Sequence, residues 1–132
     1  MRDIEEKILR EIDFEKHAEK AKTLSVRDDI FSGDNGYNGE KSGFIYRLWG
    51  HNVVKFNQED GIMELCLCYH DTLTTRNRLN GFGSRYGFNV YRHNKETFLS
   101  FGRQDIKMEN DKKYVLNLVT KEIKSKAVPF YY

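Results

Sequence analysis

The residues with most chemical potential are Cys66, Cys68 and His70, which an extended strand would align on one face because its side chains alternate with a period of two. Thiolates and imidazole are zinc ligands, but strand geometry sets alternate side chains about 7 Å apart. Three in a row cannot close on one ion, and a tetrahedral site draws ligands from at least two elements. The spacing favours two reduced cysteines buried in a core strand, too close for the usual structural disulfide. A catalytic thiol would need a helix N-terminus or an adjacent base, and a central strand supplies neither. His70, Asn80 and His93 match a His-Asn-His nuclease in residue type only. That motif takes its last histidine from a helix, whereas His93 falls at a hairpin turn. Residues 81 to 87 are glycine-rich but leave a helix for a strand, the reverse of a phosphate-cradling loop. Four scattered histidines build no Ser-His-Asp order. No catalytic residue, metal site or cofactor is expected.

Charge is more informative. Arg76, Arg78, Arg85, Arg92, Lys95 and Arg103 interleave with Phe82, Tyr86, Phe88, Tyr91 and Phe98, a composition suited to phosphate contacts and base stacking. Arg76, Arg78, Arg85, Tyr86, Arg92 and Lys95 are the expected contacts to nucleic acid or an acidic partner. Glu11, Glu15 and Glu19 recur every fourth residue, on one helix face, where like charges repel by roughly 0.2–0.5 kcal/mol per pair. A stripe that costs stability suits a surface meant to meet a basic partner. The plainer alternatives are a solvated helix face for the glutamates and, for the basic stretch, a hairpin whose aromatics fill the core.

Periodicity suggests what positions these groups. Ile4, Ile8 and Ile12 recur every fourth residue, and Phe14, Ala18 and Ala21 continue on another face. This predicts helix from about residue 3 to about 22, kinked or divided near Asp13. Residues 32–43 hold four glycines with Asn, Asp and Ser, a loop composition. Phe44 to Trp49 and Val53 to Phe56 read as paired strands, and Ile62 to Tyr69, apolar on both faces, as a central strand with Leu65 and Cys66 buried. Leu65 and Leu67 should face opposite Cys66, Cys68 and His70. Thr74 or Thr75 would cap a short helix that Gly81 ends, and Phe88 to Arg92 with Thr97 to Phe101 forms a second hairpin. Residues 112–123 read as helix or strand, with Val115, Leu118 and Val119 favouring a helical face.

The expected fold is α+β: an N-terminal helix, then a mostly antiparallel sheet of about five strands, with a short helix between a three-stranded meander and the second hairpin. Residues 1–132 read as a single domain. It comprises a helical part over 1–31, the glycine-rich loop over 32–43, a β-rich core over 44–103 and a C-terminal extension over 104–132.

Within 132 residues, 39% apolar and 14% aromatic, there is material for one real core but not for a multidomain enzyme. No apolar run approaches the roughly 18 residues needed to cross a bilayer, and the charged first residues are unlike a signal peptide. The expectation is a soluble intracellular protein with no membrane partner. A net charge of +2 conceals polarity. Residues 1–40 carry 7 basic and 11 acidic side chains, residues 72–104 carry 6 and 1.

Leu48-Trp49-Gly50-His51-Asn52-Val53-Val54, then Met63-Glu64-Leu65, then Thr72-Leu73-Thr74-Thr75-Arg76-Asn77-Arg78-Leu79-Asn80 together resemble small proteins carried by bacteriophages and mobile elements. Their pattern is a Leu-x-(Gly or Asn)-x-x-Val-Val strand, a second strand, and Thr-x-Thr-Thr-(Lys or Arg)-x-Arg-(hydrophobic)-Asn opening a short helix before a hairpin. The resemblance covers roughly residues 44–101. It implies a phage or prophage origin and an α+β fold, and it transfers no catalytic residue. By analogy with small phage proteins that lack a catalytic constellation, the expected function is non-enzymatic inhibition of a bacterial defence nuclease, of the anti-CRISPR type. The protein would bind the nuclease or its guide-RNA complex in the host cytoplasm and block nucleic-acid loading or cleavage, with Glu11, Glu15 and Glu19 meeting a basic channel. A nucleic-acid-binding module built on the 76–103 surface is the alternative, and a metal-assisted nuclease using His70 and His93 comes third. The sequence assigns neither oligomeric state nor partner identity.

Overall fold

A computed structural model describes residues 3–13, 22–33, 43–57 and 60–128. In chain order the described elements are helix α1 (Asp3–Asp13), strands β1 (Lys22–Thr23), β2 (Asp28–Gly33), β3 (Gly43–Leu48), β4 (His51–Asn57) and β5 (Ile62–Cys66), helix α2 (Leu73–Tyr86), and strands β6 (Phe88–His93), β7 (Glu96–Phe101), β8 (Gln104–Lys107), β9 (Lys112–Asn117) and β10 (Glu122–Ala127). The class is α+β, as expected, with all strand pairs antiparallel. The strands form two sheets rather than one of about five strands. Seven are ordered β1-β2-β3-β4-β5-β9-β10, and three are ordered β6-β7-β8.

The meander of β3, β4 and β5 forms as the alternating apolar residues dictate. Cross-strand register puts Phe44, Phe56, Met63 and Leu116 in one row and Tyr46, Val54, Leu65 and Tyr114 in the next. Apart from half-buried Phe56, these side chains are buried, so one face of the large sheet is core. Leu65 and Cys66 are both buried, as expected of a strand flanked by β4 and β9.

Residues 112–123 are not helical. Tyr114 and Leu116 alternate into the core and pair with Leu65 and Met63. The hairpin of β9 and β10 thus occupies the open edge of β5, and the expected extension is structural. The second hairpin leaves the large sheet because α2 intervenes and because the free edge of β6 is closed. The Asn80 amide donates to the Val90 carbonyl and accepts from the Val90 N–H, each at 2.7 Å, as a neighbouring strand would.

The N-terminal part is also corrected. Helix α1 is described over Asp3–Asp13, residues 14–21 lie outside the described residues, and at Lys22, where helix was expected to reach, the chain is already extended in β1. Over Asp28–Gly33 the backbone pairs with β3 along its whole length, and Gly33 opposite Gly43 closes the neck of the glycine-rich loop. Ser32, Gly33 and Gly43, expected in the loop, are strand residues, and residues 34–42, including Tyr37, lie outside the described residues.

Candidate functional site

The basic helix α2 is built differently from expectation, and its construction decides which charged groups reach a partner. Thr72, neither Thr74 nor Thr75, is the N-cap: its backbone is extended and its hydroxyl accepts from the Thr75 N–H at 3.2 Å. The helix passes through Gly81 and Gly83 and ends at Gly87, whose φ of 86° is left-handed. The internal glycines are there for close approach. A Cβ at Gly81 would lie 2.8 Å from Glu5 Cγ, and one at Gly83 would lie 2.2 Å from the Phe88 carbonyl oxygen.

Arg78 is not a surface contact. It is 1% exposed, against 0% for Asp28 and 4% for Glu5. Its Nε donates to Asp28 Oδ1 at 2.8 Å and its Nη1 to Glu5 Oε2 at 2.8 Å. The Tyr46 hydroxyl donates to Asp28 Oδ1 and the Ser25 hydroxyl to Asp28 Oδ2. Burial works to raise the Asp28 carboxyl, but hydrogen bonds from Arg78, Ser25 and Tyr46 and the charge of Arg78 outweigh it and hold Asp28 below the usual carboxylate range. Burial and the adjacent Asp28 push the Tyr46 hydroxyl well up, so it stays a donor. One guanidinium thus joins α1, β2 and α2 in a buried, hydrogen-bonded network. The sequence contained a signal for it: Thr75, Arg78, Leu79 and Phe82, all buried, fall at helical positions i, i+3, i+4 and i+7. The arginine belongs to the apolar stripe.

The other basic residues are dispersed. Arg76 pairs with Asp71 at 2.6 Å, whose other oxygen accepts from Thr97 at 2.6 Å. Arg85 is exposed and donates to the Leu9 carbonyl at 3.4 Å. Tyr86 packs among Phe44 and Phe56, with ring centroids 6.4 and 5.2 Å away. Of the predicted set, Arg92 and Lys95 come together, where Arg92 Nη2 donates to the Lys95 carbonyl at 3.1 Å in the turn from β6 to β7. Glu11 lies on α1, and Glu15 and Glu19 lie outside the described residues, as does any description of the Glu11 side chain.

Cys66, Cys68 and His70 are not in line, because β5 stops at Cys66 and the backbone turns left-handed at Cys68 and Tyr69. Both cysteines are free and buried. The Cys68 N–H donates to Cys66 Sγ at 3.1 Å, and its thiol donates to the Asn52 carbonyl at 3.3 Å. The neighbouring Cys66 sulfur and burial push the Cys68 thiol up, away from nucleophilic use. His93 is the last residue of β6, at the edge of the turn, while His70 packs beside Trp49 and His51. Among the described residues no three His, Cys, Asp or Glu side chains gather to hold a metal ion.

What sequence reading missed is the end of the large sheet where β1 meets β2, β3 meets β4, and β5 leads into α2. Trp49 is 44% exposed, Val26 104% and Leu73 62%, three of the four large apolar side chains exposed among the described residues. Trp49 has a left-handed backbone, φ 52°, and its N–H donates to the Arg27 carbonyl at 2.8 Å. The His70 ring stands 5.8 Å from Trp49 and 5.0 Å from His51. A left-handed φ is costly for a bulky residue, and here it accompanies an indole presented to solvent.

On the far face of the large sheet, a cleft of about 280 Å³ lies among Ile62, Val115, Asn117, Glu122, Lys124 and Lys126. The Asn117 amide oxygen there is engaged, accepting from the Val119 and Thr120 N–H groups. No helix among the described residues is long and apolar enough to cross a membrane. No family model matches this chain, and no curated protein or solved structure matches it either.

Proposed function

We propose that the protein is a non-enzymatic inhibitor of the anti-CRISPR type, which binds a bacterial defence nuclease or its guide-RNA complex through the end of the molecule carrying Trp49. The observation that supports a binding role is the exposed indole of Trp49, held on a left-handed backbone beside His70. A partly exposed tryptophan is a frequent centre of a binding hot spot. The choice of a defence nuclease as partner rests on the phage-like motifs. Those motifs now have physical roles as well: Thr72 caps, Thr75 and Leu79 are core, Arg76 fixes Asp71, Arg78 joins three elements and Asn80 closes an edge.

The test is capture from a bacterial lysate read by mass spectrometry, followed by a cleavage assay with the nuclease so identified. The parent is expected to slow cleavage, and Trp49→Ala to lose at least tenfold in inhibition while melting like the parent. Capture of no nuclease, or full inhibition by Trp49→Ala, would overturn the proposal.

A further inference from the structure

The cleft on the far face of the large sheet is built from its last three strands, β5, β9 and β10. Register sets Ile62, Asn117 and Glu122 in one row, Val115 and Lys124 in the next, and Lys113 and Lys126 in the third. Strand alternation turns this set away from Met63, Leu65, Tyr114 and Leu116, which are buried in the core. All six residues that line the cleft of about 280 Å³ belong to these rows. Its floor is two short branched side chains, half-buried Ile62 and Val115, and its outer wall is the longer, exposed side chains of the edge strand β10.

Lysines on an edge strand deter pairing with another chain, which accounts for Lys124 and Lys126 being exposed. It does not account for an apolar floor behind them, on two strands inside the sheet. Neither lysine has an ion-pair or hydrogen-bond partner among the described residues. Alternate residues of a strand stand about 7 Å apart, so the two ammonium groups can close on one carboxylate from either side. Lys113, the next cation on this face, is engaged by Glu64 at 2.5 Å, and that pair adds no net charge. With its oxygen held by Val119 and Thr120, the Asn117 amide keeps its NH₂ group as a donor. Two lysines against Glu122 leave the lining with one net positive charge, and Glu122 lies about 13 Å along the strand from Lys126. The cleft is slightly smaller than the roughly 300–1,000 Å³ that a drug-sized ligand occupies. The residues beside it on this face, Lys55, Asn57 and Glu64, are polar, so the apolar contact ends with the cleft, as suits a small ligand better than a protein surface.

We propose that this cleft binds a small organic monoanion, an apolar chain or ring carrying one carboxylate. The carboxylate lies between Lys124 and Lys126, and the apolar body covers Val115 and Ile62. Glu122 stands at the far end and selects against a second anionic group. The site shares no residue with the Trp49 end and stands whether or not a nuclease is the partner.

The test is titration of the full chain with octanoate, read by backbone amide shifts in NMR. Octanoate is expected to shift Val115, Asn117 and Lys124 saturably, with a dissociation constant of about 1 mM or tighter. Acetate, which lacks the apolar body, and octylammonium, which reverses the charge, should not saturate. Suberate, which adds a carboxylate at the far end, should bind about threefold more weakly than octanoate, and Glu122→Gln should remove that difference. Lys124→Gln with Lys126→Gln should weaken octanoate roughly fivefold, and Val115→Thr, which keeps β-branching, about threefold. The variants should melt like the parent, because every substituted side chain is on the solvent face of the sheet. The proposal is overturned by no saturable shift at these residues, by octylammonium or acetate binding as well as octanoate, or by parental affinity in the double glutamine variant. Tighter binding of hexaglutamate than of octanoate also overturns it and assigns the face to an acidic protein segment.

Discussion

Arg78 shows how one side chain changes role when its surroundings close. Removing one partner from a buried ion pair leaves an uncompensated charge, at a cost of about 3–5 kcal/mol. Arg78→Met, of similar length, should therefore lower the stability by that amount in urea denaturation, because Asp28 and Glu5 remain buried. A loss below 1 kcal/mol would mean that water reaches the network. The same residues give a pH dependence. The folded pKa of Asp28 lies below its ordinary 3.8, so its contribution is fully present above about pH 5 and is lost as pH falls through the folded value. Asp28→Asn should be less stable than the parent at neutral pH and should lose stability less steeply between about pH 5 and pH 2, measured by melting across that range. The presence of a basic helix was legible in the sequence, but the fate of each arginine was not. Arg76, Arg78 and Arg85 have the same chemistry, and only the positions of Asp71, Asp28 with Glu5, and Leu9 separate them.

At the scale of elements, α2 illustrates what short-range rules capture. Several threonines at the head of a helix signalled a cap, yet the capping residue depends on where the backbone leaves the extended region, and that is Thr72. Thr72→Ala should cost about 1 kcal/mol, while Thr74→Ala, at a half-buried position outside the cap, should change the midpoint little. Gly81 read as a helix stop, but it and Gly83 lie inside α2 and permit close contact, since helix propensity alone disfavours glycine by only about 1 kcal/mol. Gly83→Ala puts a methyl group against the Phe88 backbone oxygen, so the junction of α2 and β6 must shift. Its destabilisation in urea should exceed that of Thr72→Ala, although alanine is the better helix former. Equal stability to the parent would show that the junction can relax.

For the whole molecule, the decisive contact is between β5 and β9, which joins residues 62–66 to residues 113–117. A chain ending after Arg103 keeps the motif-bearing core but exposes the edge of β5 and loses Tyr114 and Leu116 from the central cluster. It should fail to show a cooperative melt by circular dichroism, and a two-state transition near that of the parent would make β9 and β10 dispensable. The sequence by itself determined the α+β class, the meander of β3 to β5, the buried Leu65 and Cys66, the hairpin of β6 and β7, and the existence of a helix between them. These follow from local alternation, turn residues and caps, all set within about ten residues. Only the tertiary structure decided that the strands divide into two sheets, that 112–123 completes the larger one, that Arg78 is inside, and that Trp49 is outside. Alternation assigns a residue to one of two faces, and which face becomes the core depends on what distant segment covers it.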